Sequence, residues 1–490
     1  MELKNKKYIS GANPYMPLWE HVPDGEPRLF THNGERRVYV YGSHDTLKKE
    51  YCGTDYVVWS APADDLTNWR CDGVCFRSDD GKPLFAPDVV RKGDTYYMYV
   101  ACDWGQRILV ASSKDPAGPF TDPVLTELGF DPGVLVDDDG RVYAYWGFAG
   151  AYCAELNDDM ATIKPGTLRE HFIPHCERGG GWWDAEEEHT DRVFSFLEAS
   201  SPRKIDGKYV YVYSRRIAHA EPEEGNPADS NGYLAYAYSD DPLDGWKYGG
   251  IVSNNAGELI ELEDGTKRRS YPTGNNHGGL VKVDGQWYVF YHRMIGTDEY
   301  ARQAMLDPID AAVGSDGRVY LGRVEYRDGE PVSAREAEMT SQGAHFSGLD
   351  ARAVISAGYA CALISETDGE TPFAASSEGA YIKPIYEGVS SPIVRIKSVT
   401  TAGFKYIDFG KEPPKEIYLK LDNAVSGGTV EVRLDSTDGE LAAKLVTEAG
   451  KSEYTAELMT AVTGKHALFF RFMHDDPNTD ICEFDCFTFE

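Results

Sequence analysis

Alternation of apolar and polar positions, rather than a helical period, runs through this chain. A glycine-containing turn followed by an alternating aromatic or β-branched stretch appears as HNGERRVYVYGS (32–43), RKGDTYYMYVA (91–101), DDGRVYAYWG (138–147), IDGKYVYVYS (205–214) and VDGQWYVFYH (283–292). Side chains of period two belong to strands, and a Gly turn joining two such runs is a hairpin signal. The copies recur at roughly 45 to 80 residues, and most are followed by another short strand, as in DYVVWSAPADDLTNW (55–69), RILVASSKDPAGPF (107–120) and GYLAYAYSDDPLDGW (232–246). Several strands per unit at such a period predict the blades of a β-propeller, and five units predict five blades.

The repeat closes near residues 320–324, and the polar stretch RDGEPVSAREAEMTSQGAHFSG (327–348) marks a boundary. Beyond it lie short alternating strands, AYIKPIY (380–386), IVRIKSV (393–399), EIYLKLD (416–422), TVEVRLDS (429–436), HALFFRFM (466–473) and DCFTFE (485–490). They predict a β-sandwich of jelly-roll type. The expected fold is all-β: a five-bladed β-propeller over 1–328 and a sandwich over 329–490. A length of 490 residues suits two such domains.

Composition narrows the function. The net charge of −31 repels phosphate backbones and anionic membranes, so neither nucleic acid nor membrane is an expected partner. A neutral oligosaccharide or polysaccharide is compatible with it. Mean hydropathy is −0.46, and no apolar run approaches the ~18–20 residues of a membrane span. The N-terminal stretch MELKNKKYISGANPYMP lacks the apolar core of a secretory signal, which gives the expectation of a cytoplasmic protein, or a secreted one if a leader was removed. The nine scattered cysteines have no zinc-ribbon spacing and read as free thiols.

In a propeller the residues just before each innermost strand converge on one mouth. Counting nine back from the turn glycines gives Asp131 from Gly140, Glu198 from Gly207 and Asn276, beside His277, from Gly285. The first unit offers Asp24 and Glu26, ten and eight before Gly34, while Asp88 stands only five before Gly93. Carboxylates with a histidine, and no nucleophilic Ser or Cys motif, suit glycoside hydrolysis. One carboxylic acid protonates the leaving oxygen, a carboxylate activates water, and a third raises the pKa of the acid.

The segments NPYMPLWEHVPDGEP (13–27), FAPDVV (85–90), FDPGVLVDDDGRVYAYWG (130–147), FLEASSPRKIDGKYVYVYS (196–214) and GNNHGGLVKVDGQWYVFYHR (274–293) resemble glycoside hydrolase family 43 over residues 10–325. That family comprises five-bladed propeller β-xylosidases, α-L-arabinofuranosidases and arabinanases. The C-terminal part, with YIKPIY, FKYIDFG and VEVRLDSTDGELAAKL, is similar to family 6 carbohydrate-binding modules.

The resemblance implies that Glu198 is the general acid and that Asp131 modulates its pKa. It implies a general base Asp near the N-terminus, usually followed by Pro. Here Glu26 precedes Pro27, so the chain departs from the pattern, and Asp24 is taken as the base. Inversion of configuration follows, with acid and base carboxyls ~6.5–9.5 Å apart. His277 matches a channel histidine that helps hold a hydrated calcium ion. Glu26, Asp88, Trp146 and Arg302 are expected to bind substrate, and the loop 176–194, with Trp182-Trp183, to form a rim. The expected enzyme removes β-D-xylosyl or α-L-arabinofuranosyl units from the ends of xylan or arabinoxylan fragments. The rivals are a non-catalytic carbohydrate-binding propeller and a propeller glycosidase of other chemistry, such as a fructosidase.

Overall fold

The computed structural model describes residues 6–175, 193–217, 230–261, 265, 267–365 and 379–490. The described residues are all-β, and the one described helix is a single 3₁₀ turn, Ala357–Tyr359. None of the described helices is long and apolar enough to cross a membrane. Every repeated hairpin forms the first two strands of its own antiparallel sheet, and each sheet runs in simple sequence order. The first strands are Glu26–His32, Phe85–Lys92, Gly133–Val136, Phe196–Ile205 and Gly279–Val283. Two-residue loops close four of the hairpins, and in three of them, Asn33-Gly34, Asp206-Gly207 and Asp284-Gly285, both residues have positive φ. That geometry matches the strand twist, and it explains why Asn or Asp precedes Gly at these turns.

The sheets close a ring. The first strand of each packs beside the first strand of the next, and the fifth returns to the first. The apolar faces follow the same cyclic order. One core joins Tyr41 and Val58 to Val89 and Met98, the next joins Val110 to Val142, and a third joins Tyr145 to Tyr211 and Ala235. Val38 and Val57 meet Val281 and Phe290 where the ring closes. Aromatic strands supply this packing: Tyr145 and Tyr211 stack at 5.4 Å, and Tyr211 and Tyr213 at 5.7 Å. Such pairs contribute about 0.5–1.5 kcal/mol each beyond the area that they bury.

The fifth sheet extends past the expected boundary at 328, because Glu330–Arg335 pairs with Val319–Arg327 as its last strand. After it come two six-stranded sheets, whose facing rings Phe404, Phe470, Phe484 and Phe487 lie 4.8–6.2 Å apart. Glu416–Asp422 alternates between buried and half-exposed side chains as its sequence predicts. The expected strand at 380–386 shrinks to Tyr381–Ile382, and Pro384, which has no N–H to give a ladder, lies beyond it. Thr400–Asp408 lacks the predictive alternation because its first five residues are all buried.

The two parts share one apolar core and are pinned by polar contacts. Fully buried Arg293 donates to the carbonyls of Gly358 and Ala360. Lys405 pairs with Glu258 and Glu338. His21 Nε2 lies 3.0 Å from the Ile385 carbonyl. The eight cysteines among the described residues are free, as expected, and all but Cys71 are buried.

Candidate active site

At one mouth of the ring lies a cavity of about 1200 Å³. Asp24, Asp131, Glu198, His277, Trp146 and Arg302 all line it, and the repeat register accounts for Asp131, Glu198 and the Asn276-His277 pair among the lining residues. The backbone at this rim is unusual. Asp24 (φ 57°), Asp131 (φ 50°) and Ala199 (φ 67°), which follows Glu198, are left-handed, a conformation that costs a non-glycine residue about 1–3 kcal/mol. The strand carrying Glu198 also has irregular pairing on both sides of it.

Asp24 is buried and heavily partnered. Arg302 Nη1 lies 3.2 and 3.3 Å from its two oxygens, and the Ser43 hydroxyl donates to Oδ2. Its backbone N–H donates to His292 Nδ1 at 3.2 Å, which leaves His292 Nε2 to donate to Asn275 Oδ1 at 2.8 Å. Burial pushes the Asp24 carboxyl up, but its polar surroundings, the Arg302 charge foremost, outweigh it, and the net shift is downward. Asp24 is therefore held as a carboxylate. Burial lowers His292 to about 3, so this imidazole is neutral.

Asp131 has the opposite electrostatics. Oδ2 accepts the Ala199 N–H at 3.2 Å, and His277 Nδ1 stands 3.6 Å away. Burial raises its carboxyl well above the ordinary range, and the charges of Glu198 and Asp24 add to that. Two neighbouring carboxyls, one buried and one half-buried, that oppose each other's ionisation hold one proton between them. Asn231 Nδ2 stands 3.5 Å from Glu198 Oε1. The cavity thus combines a fixed carboxylate with a carboxyl pair that resists losing its last proton.

Glu26 and Asp88 are corrections to the sequence reading. Neither lines the cavity; both are buried on the ring axis among arginines. Arg28 grips both Asp88 oxygens at 2.7 Å and reaches Glu26 at 3.1 Å, and Arg203 Nη2 meets Glu26 at 2.5 Å. Arg28 also donates to the Val134 carbonyl, and Arg203 to the carbonyls of Leu280 and Pro27. One ionic cluster thereby ties all five first strands. Backbone conformation separates the first pair: Glu26 opens its strand and faces the arginines, whereas Asp24 stands outside it, left-handed and before the Gly25–Gly278 bridge.

Arg302 lines the cavity but spends its donors on carboxylates. Nε and Nη2 hold Asp45 at 2.9 and 2.8 Å, while Nη1 faces Asp24. Sequence reasoning missed Ser43, Asp45 and His292; the only hint was position, Ser43 and Asp45 just past one repeated strand in GSHD and His292 near the end of another in YHR. It also missed Glu299, a cavity-lining carboxyl raised by burial. For a metal, His277 offers an imidazole that burial keeps neutral, with Asp131 beside it. Among the described residues no group of three or more His, Cys, Asp or Glu is placed to hold an ion, so water would supply most of a calcium shell here. The expected rim at Trp182-Trp183 lies outside the described residues.

Comparison with known proteins gives matches over both parts. The model for glycosyl hydrolases family 43 matches residues 26–314, and that for carbohydrate binding module (family 6) matches 374–490. The chain is 32% identical to a xylosidase/arabinosidase of Thermoclostridium stercorarium, over 94% of this chain and 95% of that one. It is 24% identical to an arabinoxylan arabinofuranohydrolase of Paenibacillus polymyxa, over 93% and 71%. A solved family 43 arabinoxylan arabinofuranohydrolase from Bacillus subtilis, in complex with cellotetraose, aligns over 97% of each chain at 21% identity and a TM-score of 0.46.

The Arg302 geometry has a measurable consequence. Arg302→Met leaves Asp24 and Asp45 buried without their counter-charge, and should cost about 3–5 kcal/mol at neutral pH. Because the Asp24 carboxyl is lowered by folding, its contribution is complete above the ordinary carboxylate range and is lost as pH falls through the folded-state value. The variant's deficit in urea denaturation should therefore shrink towards about pH 3–4. A deficit independent of pH would contradict the assignment.

Proposed function

The chain belongs to glycosyl hydrolase family 43, and on that premise we propose that it is an inverting, exo-acting glycosidase. Its substrates in this reading are xylan- or arabinoxylan-derived oligosaccharides, from which it removes terminal β-D-xylosyl or α-L-arabinofuranosyl units. The names of its relatives support the substrate class. The observation that carries the chemistry is the contrast between Asp24, held ionised by Arg302, and Asp131, raised by burial and by the charge of Glu198. Two carboxyl environments pushed apart in this way are what single-displacement hydrolysis requires.

In this mechanism Asp24 takes a proton from a water that attacks the anomeric carbon, on the face opposite the leaving group. Glu198 donates a proton to the departing oxygen. Asp131 neither attacks nor donates: its charge opposes ionisation of Glu198, and its bond to the Ala199 N–H fixes the backbone next to the acid. Trp146 supplies an apolar wall, and the cavity has room for leaving-group sugar as well as a pentose. A hydrated calcium ion beside His277 belongs to the same reading. Such a dication would favour ionised Asp131 and leave the pair's proton on Glu198.

The reading extends to architecture. The ring of five meanders is a five-bladed β-propeller, the two six-stranded sheets form a jelly-roll sandwich, and the junction falls after Arg335. The C-terminal module is a carbohydrate-binding module by family, and its place against the ring makes it a partner of the catalytic part.

Aryl β-D-xyloside and aryl α-L-arabinofuranoside test the activity, with NMR of the first-formed anomer to show inversion. Glu198→Gln should lose roughly 10²–10⁴-fold in kcat on substrates with poor leaving groups, and far less on aryl glycosides that need no acid. Equal losses on both would sink the acid assignment. Chelation should lower activity and added calcium restore it; activity indifferent to both would remove the metal from the account.

A further inference from the structure

Directly after strand Glu35–Tyr41, three consecutive side chains are each committed to a different partner. Ser43 donates to Asp24, and Asp45 receives the Arg302 fork. His44 lies between them in sequence but faces away, into a second cluster. Its Nε2 is 3.0 Å from Glu20 Oε1 and its Nδ1 is 2.8 Å from Asp55 Oδ1. Side chains two apart in an extended segment share a face, so anchoring His44 on one side sets where Ser43 and Asp45 stand on the other.

Both anchors are held in turn. Glu20 Oε2 accepts the Trp59 indole N–H at 3.2 Å, and Asp55 Oδ2 pairs with Arg77 at 3.0 Å. Trp59 and Asp55 lie on strand Asp55–Pro62 and Arg77 on Arg70–Arg77, which places the anchorage in the outer strands of the first sheet. His21, Asp45 and Cys71 are the other titratable groups adjoining this cluster. Burial alone would lower the His44 imidazole, but its bonds to Asp55 and Glu20 and their charges raise it to about 9, so it is an imidazolium at neutral pH. Charge-assisted bonds of this kind are roughly twice as strong as neutral ones.

We propose that His44 is a positioning residue for Asp24. Its two bonds lock the Ser43–Asp45 segment, and that segment fixes the Asp24 carboxylate directly through Ser43 and indirectly through the Asp45–Arg302 pair. His44 does not line the cavity, so it acts only through these residues. The inference rests on Asp24 being the base.

The test compares kcat, KM and the pH dependence of kcat/KM on an aryl pentoside for the wild type, His44→Gln and Asp55→Asn, with Asp24→Asn as control. Losing the latch should lower kcat by roughly tenfold to a hundredfold with KM little changed. With Arg302 and Ser43 no longer held against Asp24, the acidic limb should move up by about one pH unit. Asp55→Asn removes one anchor while His44 stays in place, and it carries the same readouts if His44→Gln fails to fold. Folded variants whose acidic limb coincides with that of the wild type would overturn the proposal, because a merely structural His44 lowers stability without moving Asp24's titration. An active Asp24→Asn enzyme would instead remove the base assignment, and the latch with it.

Discussion

Carboxylates buried where five sheets meet are the constraint on which this structure turns. Removing a charge from water costs several kcal/mol unless a partner compensates it. Near the axis the compensation comes from three arginines: Arg28 and Arg203 hold Asp88 and Glu26, and Arg302 holds Asp24 and Asp45. All but the Arg28–Glu26 pair reach from one sheet to another, so the same contacts that neutralise the carboxylates also hold the ring together. Asp131 has no lysine or arginine in ion-pair contact among the described residues, and in their place it shares one proton with Glu198.

Function follows from that unequal treatment. A carboxylate with an arginine stays ionised and can act as a base. A carboxyl pair whose two members oppose each other's ionisation retains a proton and can act as an acid. Left-handed backbone at Asp24, Asp131 and Ala199 aims the groups at one cavity, and the surrounding sheets hold that strain in place. The His44 anchorage adds a further layer, in which the first sheet's outer strands steady the residues that grip Asp24.

Much of this was legible in the sequence, for physical reasons. Glycine turns and period-two aromatic runs are local signals, and they located all five hairpins. The equal spacing of nine back from the turn glycine picked out Asp131, Glu198 and Asn276, beside His277, and these meet at one mouth because each lies at the start of its sheet's first strand or just before it. Spacing did not say which way a side chain points, which is why Glu26 and Asp88 were expected at the substrate and were found on the axis. Arg302, Asp45 and Ser43 depend on contacts between the first and fifth sheets, and no local pattern encodes them. Thr400–Asp408 escaped notice because burial along its length erased the alternation that identified its neighbours.

The central claim is that Asp131 and Glu198 together retain a proton that Asp24 does not. Its most direct test is the alkaline limb of kcat/KM on a substrate with a poor leaving group, measured for the wild type and for Asp131→Asn. Removing the neighbouring negative charge makes Glu198 easier to ionise, so the limb should move to lower pH by about 1–2 units. A limb that stays in place, or moves to higher pH, would contradict the account.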